Sequence, residues 1–179
     1  MRAGAVGLAS LGPPTAAMVV VIVLSNWLVQ YPINPWLTWG AFTYPVSFLV
    51  TDLTNRALGP SAARRVVWWG FPVAVAVSLA LAPWRIAVAS GAAFLVAQLM
   101  DVAVFNRWRT QSWWKAPLIG SVVASVIDTG VFFAIAFAGT QMDWVQLAAG
   151  DLAVKWAMAG VLLAPYRWML PRLTTAPVR

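Results

Sequence analysis

Six apolar stretches follow one another along this 179-residue chain. Each is about 20 residues long, enough to cross the hydrocarbon core of a bilayer. They run from Thr15 to Tyr31, Trp36 to Thr54, Val66 to Ala82, Arg85 to Phe105, Pro117 to Ala138 and Trp144 to Tyr166. Pro32, Pro35, Gly59-Pro60, Pro83 and Gly139 separate them. The chain is 61% hydrophobic and 9% charged, against roughly 25% charged in soluble domains. So little polar sequence cannot cover a water-soluble core. The reading is an all-α integral membrane protein, a six-transmembrane-helix bundle. Its expected parts are a cytoplasmic N-terminal segment (1–14), a transmembrane domain (15–170) and a cytoplasmic C-terminal tail (171–179). The first apolar run has no small-residue cleavage pattern after it, which predicts a retained helix rather than a signal peptide.

The net charge of +7 would suit nucleic acid, but its distribution says otherwise. Arg2, Arg56, Arg64, Arg65, Arg107, Arg109, Lys115, Arg167, Arg172 and Arg179 all fall on one side of a six-span arrangement. The other side holds Arg85, with Asp143 opposing it. Basic residues concentrate in cytoplasmic loops, so both termini are expected in the cytoplasm (N-in/C-in). Tryptophans at the expected helix ends, such as Trp36, Trp39, Trp68, Trp69, Trp84, Trp108, Trp114, Trp144 and Trp168, fit indole's preference for the membrane interface. The expected partners are therefore the lipid bilayer and a small molecule, not nucleic acid; a homo-oligomer is compatible with the sequence.

Cysteine and histidine are absent, and all five acids are aspartates. That removes thiolate nucleophiles, disulfides and the usual zinc sites. No metal or other cofactor is expected, and no nucleophile–base constellation suggests an enzyme.

The chemistry should lie with the polar residues inside the apolar runs. An ionisable group in the membrane costs about 2.5–3.5 kcal/mol on insertion scales and usually marks a pathway or a site. Asp52 and Asn55 are three residues apart in the second run, Gln98 and Asp101 in the fourth, so each pair shares a helix face. These pairs form either a polar layer that binds a ligand or closes an inner gate, or groups that snorkel to the interface. Asp128 lies about 20 Å along the fifth helix from Lys115, near the midplane, and Lys155 on the sixth reaches a similar depth. Asp151, four residues before Lys155, can also reach it. This cluster is either a ligand- or proton-linked site or a structural ion pair. Asn26 and Gln146 are weaker polar candidates from the outer side. Pro45 and Pro72, next to Tyr44 and Phe71, predict bends or breaks.

Taken in order, the polar stretches resemble a known family. Tyr44-Pro45-Val46-Ser47-Phe48-Leu49-Val50-Thr51-Asp52-Leu53-Thr54-Asn55 followed by Gly59 is similar to the second-helix signature of the VUT family of queuosine-precursor transporters. Gln98-Leu99-Met100-Asp101 with Phe105 and Arg107 resembles its fourth-helix signature, and Ile127-Asp128-Thr129 with Phe132-Phe133 its fifth; Lys155 fits the sixth. The chain departs from the pattern at Arg56, where the family usually has an acid. The resemblance implies a six-helix secondary transporter of the bacterial inner membrane that imports a purine-like 7-deazaguanine such as preQ0 or preQ1. It implies a substrate site at Asp52, Asn55, Gln98, Asp101, Asp128 and Lys155. A carboxylate accepts from the base's N–H edge, and amides or Lys155 donate to its carbonyl. Phe48, Phe94, Phe132 and Phe133 are candidates for stacking on a planar base. The alternative is a substrate-binding subunit of an energy-coupling-factor vitamin importer, which would need a docking surface for an ATPase partner.

Overall fold

The computed structural model describes residues 8–28, 30–34, 37–141 and 143–174. Among these it forms an all-α bundle: α1 (Leu8–Leu28), α2 (Gly40–Thr43), α3 (Val46–Leu58), α4 (Pro60–Leu81), α5 (Trp84–Trp108), α6 (Lys115–Phe137), α7 (Trp144–Val161) and α8 (Leu163–Thr174). A short antiparallel pair, β1 (Pro32–Asn34) and β2 (Leu37–Thr38), links α1 to α2. Five segments of the described residues are long and apolar enough to cross a membrane: Ser10–Leu28, α4, α5, α6 and Trp144–Leu173. Arg2, Trp36 and Arg179 lie outside the described residues.

The second apolar run is the one whose form differs most from a plain span. It is broken at Tyr44-Pro45 into α2 and α3. Proline 45 has no N–H to donate, so the ladder is interrupted there. At 13 residues, α3 alone reaches only about 20 Å. Elsewhere the differences are at boundaries. Helix α1 starts at Leu8 rather than Thr15 and passes through Pro13 and Pro14; Leu11 is buried against the α4 face with Val66 and Val67, which anchors the earlier start. Helix α4 starts at Pro60 rather than Val66, because proline suits a first helical position. Between α3 and α4 the chain turns on the single residue Gly59, at φ +87°, where a side chain would be strained. Helix α7 reaches only Val161, and α8 continues almost directly from it to Thr174.

Small residues set how closely the helices approach, since apolar membrane helices gain little from hydrophobic sorting and associate through packing. Ala89, Ala93 and Ala97 of α5 and Ala116, Ala124 and Ala136 of α6 are all buried. A Cβ on Gly70 of α4 would come within 2.9 Å of Met18 of α1. Outward faces carry Trp68, Trp69, Trp84 and Trp168, positions that suit interfacial indoles. Short connections make sequential helices antiparallel, so Arg56, Arg64, Arg65, Arg107, Arg109 and Lys115 gather at one end of the bundle, marked by the α3–α4 and α5–α6 connections. At the other end Arg85 is the lone cation of the sequence pattern. Its guanidinium donates to the carbonyl oxygens of Ile135 (2.8 Å) and Ala138 (2.5 Å), so it caps the α6 C-terminus and ties it to the start of α5.

Candidate functional site

A cavity of about 540 Å³ occupies the half of the bundle remote from the basic end, a size typical of small-molecule sites. Its rim includes Gln30, Asn34, Thr38 and Pro83, and its walls include Ser90, Phe94, Phe132, Phe133 and Phe137. Tyr44, Asp128, Asp151 and Lys155 also line it. Pro45 explains how Tyr44 gets there: the break above α3 turns the α2 segment aside and leaves the Tyr44 ring facing α6 and α7.

Asp128 and Lys155 meet, as their depths on consecutive antiparallel helices require. Lys155 Nζ donates to Asp128 Oδ2 at 2.7 Å and to Thr129 Oγ1 at 3.1 Å, and forms a short hydrogen bond with Asp151 Oδ2. Tyr44 Oη donates to Asp128 Oδ1 at 2.8 Å, and Thr129 Oγ1 donates to Asp151 Oδ2 at 2.8 Å. Lys155 Nζ also lies 5.5 Å from the Tyr44 ring centroid, within cation–π range. The layer thus holds two carboxylates and one ammonium, each with opposite charge and hydrogen bonds beside it. Asp128 and Lys155 are buried, while the Asp151 side chain is 22% exposed toward the cavity. The Phe132–Phe133 and Phe133–Phe137 ring pairs, at 5.2 and 5.7 Å, form an aromatic wall. Together these surfaces offer acceptors, a cationic donor and flat apolar faces to one ligand.

The other four expected residues lie elsewhere. Asp52, Asn55, Gln98 and Asp101 do not line the cavity. They sit between α3 and α5, nearer the basic end, and are buried. Thr51 Oγ1 donates to Gln98 Oε1 (2.5 Å), Gln98 Nε2 to Ser47 Oγ (2.7 Å) and Asn55 Nδ2 to the Val102 carbonyl oxygen (3.1 Å). A polar layer shared by two helices is therefore present, and Arg56 donates elsewhere, from Nε to Tyr166 Oη (3.0 Å) and from Nη1 to the Arg109 carbonyl oxygen (2.8 Å). Of the weaker candidates, Asn26 lines the cavity and accepts from Ser78 Oγ at 2.9 Å, whereas Gln146 is exposed and stands apart. Phe94, Phe132 and Phe133 border the cavity; Phe48 packs in the core with Ala97 and Ala124. Tyr44 and Thr129 were not singled out as site residues. The proline after Tyr44 is the signal that points to the first, and a hydroxyl beside an intramembrane aspartate the signal that points to the second.

The profile of the family described as "Putative vitamin uptake transporter" matches residues 38–83 and 77–169, which include both polar layers. The chain belongs to the VUT family. Membership places it among membrane transporters rather than enzymes. Among similar proteins is the queuosine precursor transporter of Escherichia coli K12, 36% identical over 177 residues, covering 82% of this chain and 79% of that protein. A probable queuosine precursor transporter of Haemophilus influenzae is 33% identical, covering 82% of this chain and 80% of that protein. A similarly named protein of Bacillus subtilis is 24% identical, covering 76% and 72%. No solved structure matches the chain.

Proposed function

We propose that this VUT-family protein imports a queuosine precursor, a 7-deazaguanine such as preQ0 or preQ1, across the bacterial inner membrane. The single observation that carries the reading is the Tyr44–Asp128–Lys155–Asp151 cluster on the floor of an aromatic-walled cavity, in a chain similar over most of its length to named queuosine precursor transporters. A deazaguanine presents N–H donors beside a carbonyl acceptor, which complements a carboxylate beside an ammonium. Its flat face complements Phe132 or Phe133.

In this reading the chain crosses the membrane six times. α2 and α3 together form the second crossing, and α7 with α8 the sixth. The basic end faces the cytoplasm, as do both termini, and the cavity opens outward. Asp128 and Lys155 then contact the substrate on arrival from outside. Asp52, Asn55, Gln98 and Asp101 form the cytoplasmic layer that blocks its way until the bundle opens at that end. The broken α2–α3 helix supports such a pathway, since interrupted helices in membranes line cavities and sites.

The test is uptake of labelled preQ0 and preQ1 into cells that lack precursor transport of their own. Expression of this chain should give uptake well above the empty-vector control, and Asp128→Asn should lower it. No uptake of either compound by the wild-type chain would reject the substrate.

A further inference from the structure

The cytoplasmic layer contains two carboxyl groups that hold no ion pair among the described residues. Asp52 of α3 is 2% exposed and Asp101 of α5 is 0% exposed. Their carboxyl groups face each other within hydrogen-bonding reach. Asp52 Oδ1 and both Asp101 oxygens have no donor among the described residues. On α6, a Cβ on Gly120 would sit 2.6 Å from Asp101 Oδ1, so glycine there lets α6 pack directly against Asp101.

Among the described residues no cation lies in ion-pair contact with the two carboxyls, and the Arg56 charge acts on Asp52 only from a distance. Arg56, one turn beyond Asp52, directs its donors to Tyr166 and the Arg109 carbonyl and lies over the Phe105 ring. Arg109 Nη2 reaches the carbonyl oxygens of Asn55 and Arg56 at 3.5 Å. From α6 come Gly120 and Ser121, and from α7 Ala159, none of which titrates. Two ionised carboxylates in contact repel strongly in a low-dielectric interior. One proton shared between them removes the repulsion and supplies the missing donor. A separate void of about 10 Å³, lined by Asp52, Ser121 and Tyr166 among others, is about the size needed for one water. It lies between Asp52 and the hydroxyl that Arg56 holds.

We propose that Asp52 and Asp101 form the proton-coupling site of this transporter, carrying one proton inward with each substrate molecule. The proposal rests on the transport reading above and deepens it. In the closed bundle of this cycle, one carboxyl carries the proton and donates it in a hydrogen bond to the other. When the cytoplasmic end opens, Arg56 leaves Tyr166 and the Arg109 carbonyl. Four residues from Asp52, it lies on the same helix face and pairs with the carboxylates. The carboxyl O–H bond then breaks and its proton passes to water on the cytoplasmic side. The one bond formed is the new O–H of the accepting water, and the empty carrier returns with Arg56 offsetting one of the pair's two negative charges. The Ser47 and Thr51 hydroxyls, between the cavity floor and the pair along α3, are the polar groups nearest the path by which it is reprotonated.

The experiment uses the full chain in proteoliposomes with labelled preQ1 and preQ0, reading accumulation, substrate exchange and internal pH. In the wild type, an inward gradient of about one pH unit should raise accumulation up to about tenfold, with acidification of the lumen as substrate enters. In Asp52→Asn and Asp101→Asn, gradient-driven accumulation should fall to equilibration while exchange persists at a reduced rate. Arg56→Gln, which keeps both acids, should lose accumulation in the same way, and it decides the matter if the Asn variants do not fold. Wild-type exchange without any response to the gradient, or accumulation by any folded variant at the wild-type level, would overturn the proton site and leave the transport reading standing. Absence of exchange in the wild type would instead overturn the transport reading.

Discussion

In the Asp128–Lys155 layer every charge has an opposite charge beside it and a cavity in front of it. In the Asp52–Asp101 layer two like groups meet, no cation forms an ion pair with them among the described residues, and the void beside Asp52 is the size of a water. The same helices, α5 and α6, pass both. The upper layer can exchange its internal partners for those of a ligand, because the Asp151 carboxylate is partly open and Tyr44, Thr129 and Lys155 all have donors that can be redirected. The lower layer has nothing to offer a large ligand while closed. Its unsatisfied oxygens make sense if what they gain and lose is a proton. The Ser47–Thr51–Gln98 network lies between the two in depth.

The sharpest way to break this contrast is Lys155→Met. It leaves Asp128 and Asp151 without their cation, and losing one partner of a buried pair costs about 3–5 kcal/mol. Thermal unfolding in detergent should show a large fall in midpoint, and a triple variant that also carries Asp128→Asn and Asp151→Asn should recover much of it without recovering transport. Wild-type stability in Lys155→Met would mean that the cluster is not the ion-paired centre described.

A smaller effect is expected in the lower layer. Gly120→Ala drives a methyl group against Asp101, and such overpacking typically costs about 1–3 kcal/mol. Gly130→Ala on the same helix meets nothing within 4 Å and should be neutral or slightly stabilising. Equal unfolding midpoints for the two variants would show that α6 does not press on the acid pair.

Tyr44→Phe should leave the ring over Lys155 and remove one hydrogen bond to Asp128. Substrate affinity, measured by competition binding, should weaken by about 1–2 kcal/mol, a factor of roughly 5–30, with little change in unfolding midpoint. The smallest effect belongs to Phe132→Leu. It should weaken binding by about 0.5–1.5 kcal/mol if the ring stacks on the base and leave it unchanged if Phe133 alone provides the stacking surface.

Much of this arrangement was legible in the sequence, for reasons that can be traced to particular residues. Asp128 and Lys155 stand deep in apolar helices where a short carboxylate cannot reach water, so their pairing followed from helical rise alone. Asp52 with Asn55 and Gln98 with Asp101 followed from spacing on a helix face. Spacing does not say which side of a face is open, however, and so it could not separate cavity from seal. Helical periodicity also hid the break at Tyr44-Pro45, because a proline in an apolar run is equally consistent with a mild kink. The contact between Asp101 and Gly120 depends on how close α5 and α6 approach, which is set by alanines and glycines far from either acid. The strand pair at the cavity rim leaves no periodic trace in so few residues.

The central claim is that the cavity at Asp128 and Lys155 faces outward and holds the substrate. The chain contains no cysteine, so a single cysteine placed in the wall reports on this directly. Ser90 lines the cavity on α5 and takes no part in the ionic cluster. In intact cells, Ser90→Cys should react with a membrane-impermeant thiol reagent, and preQ0 or preQ1 should slow that reaction in proportion to its occupancy. A cysteine at Ser90 that is unreactive from outside, or that reacts equally fast with and without saturating precursor while uptake proceeds, would contradict the account.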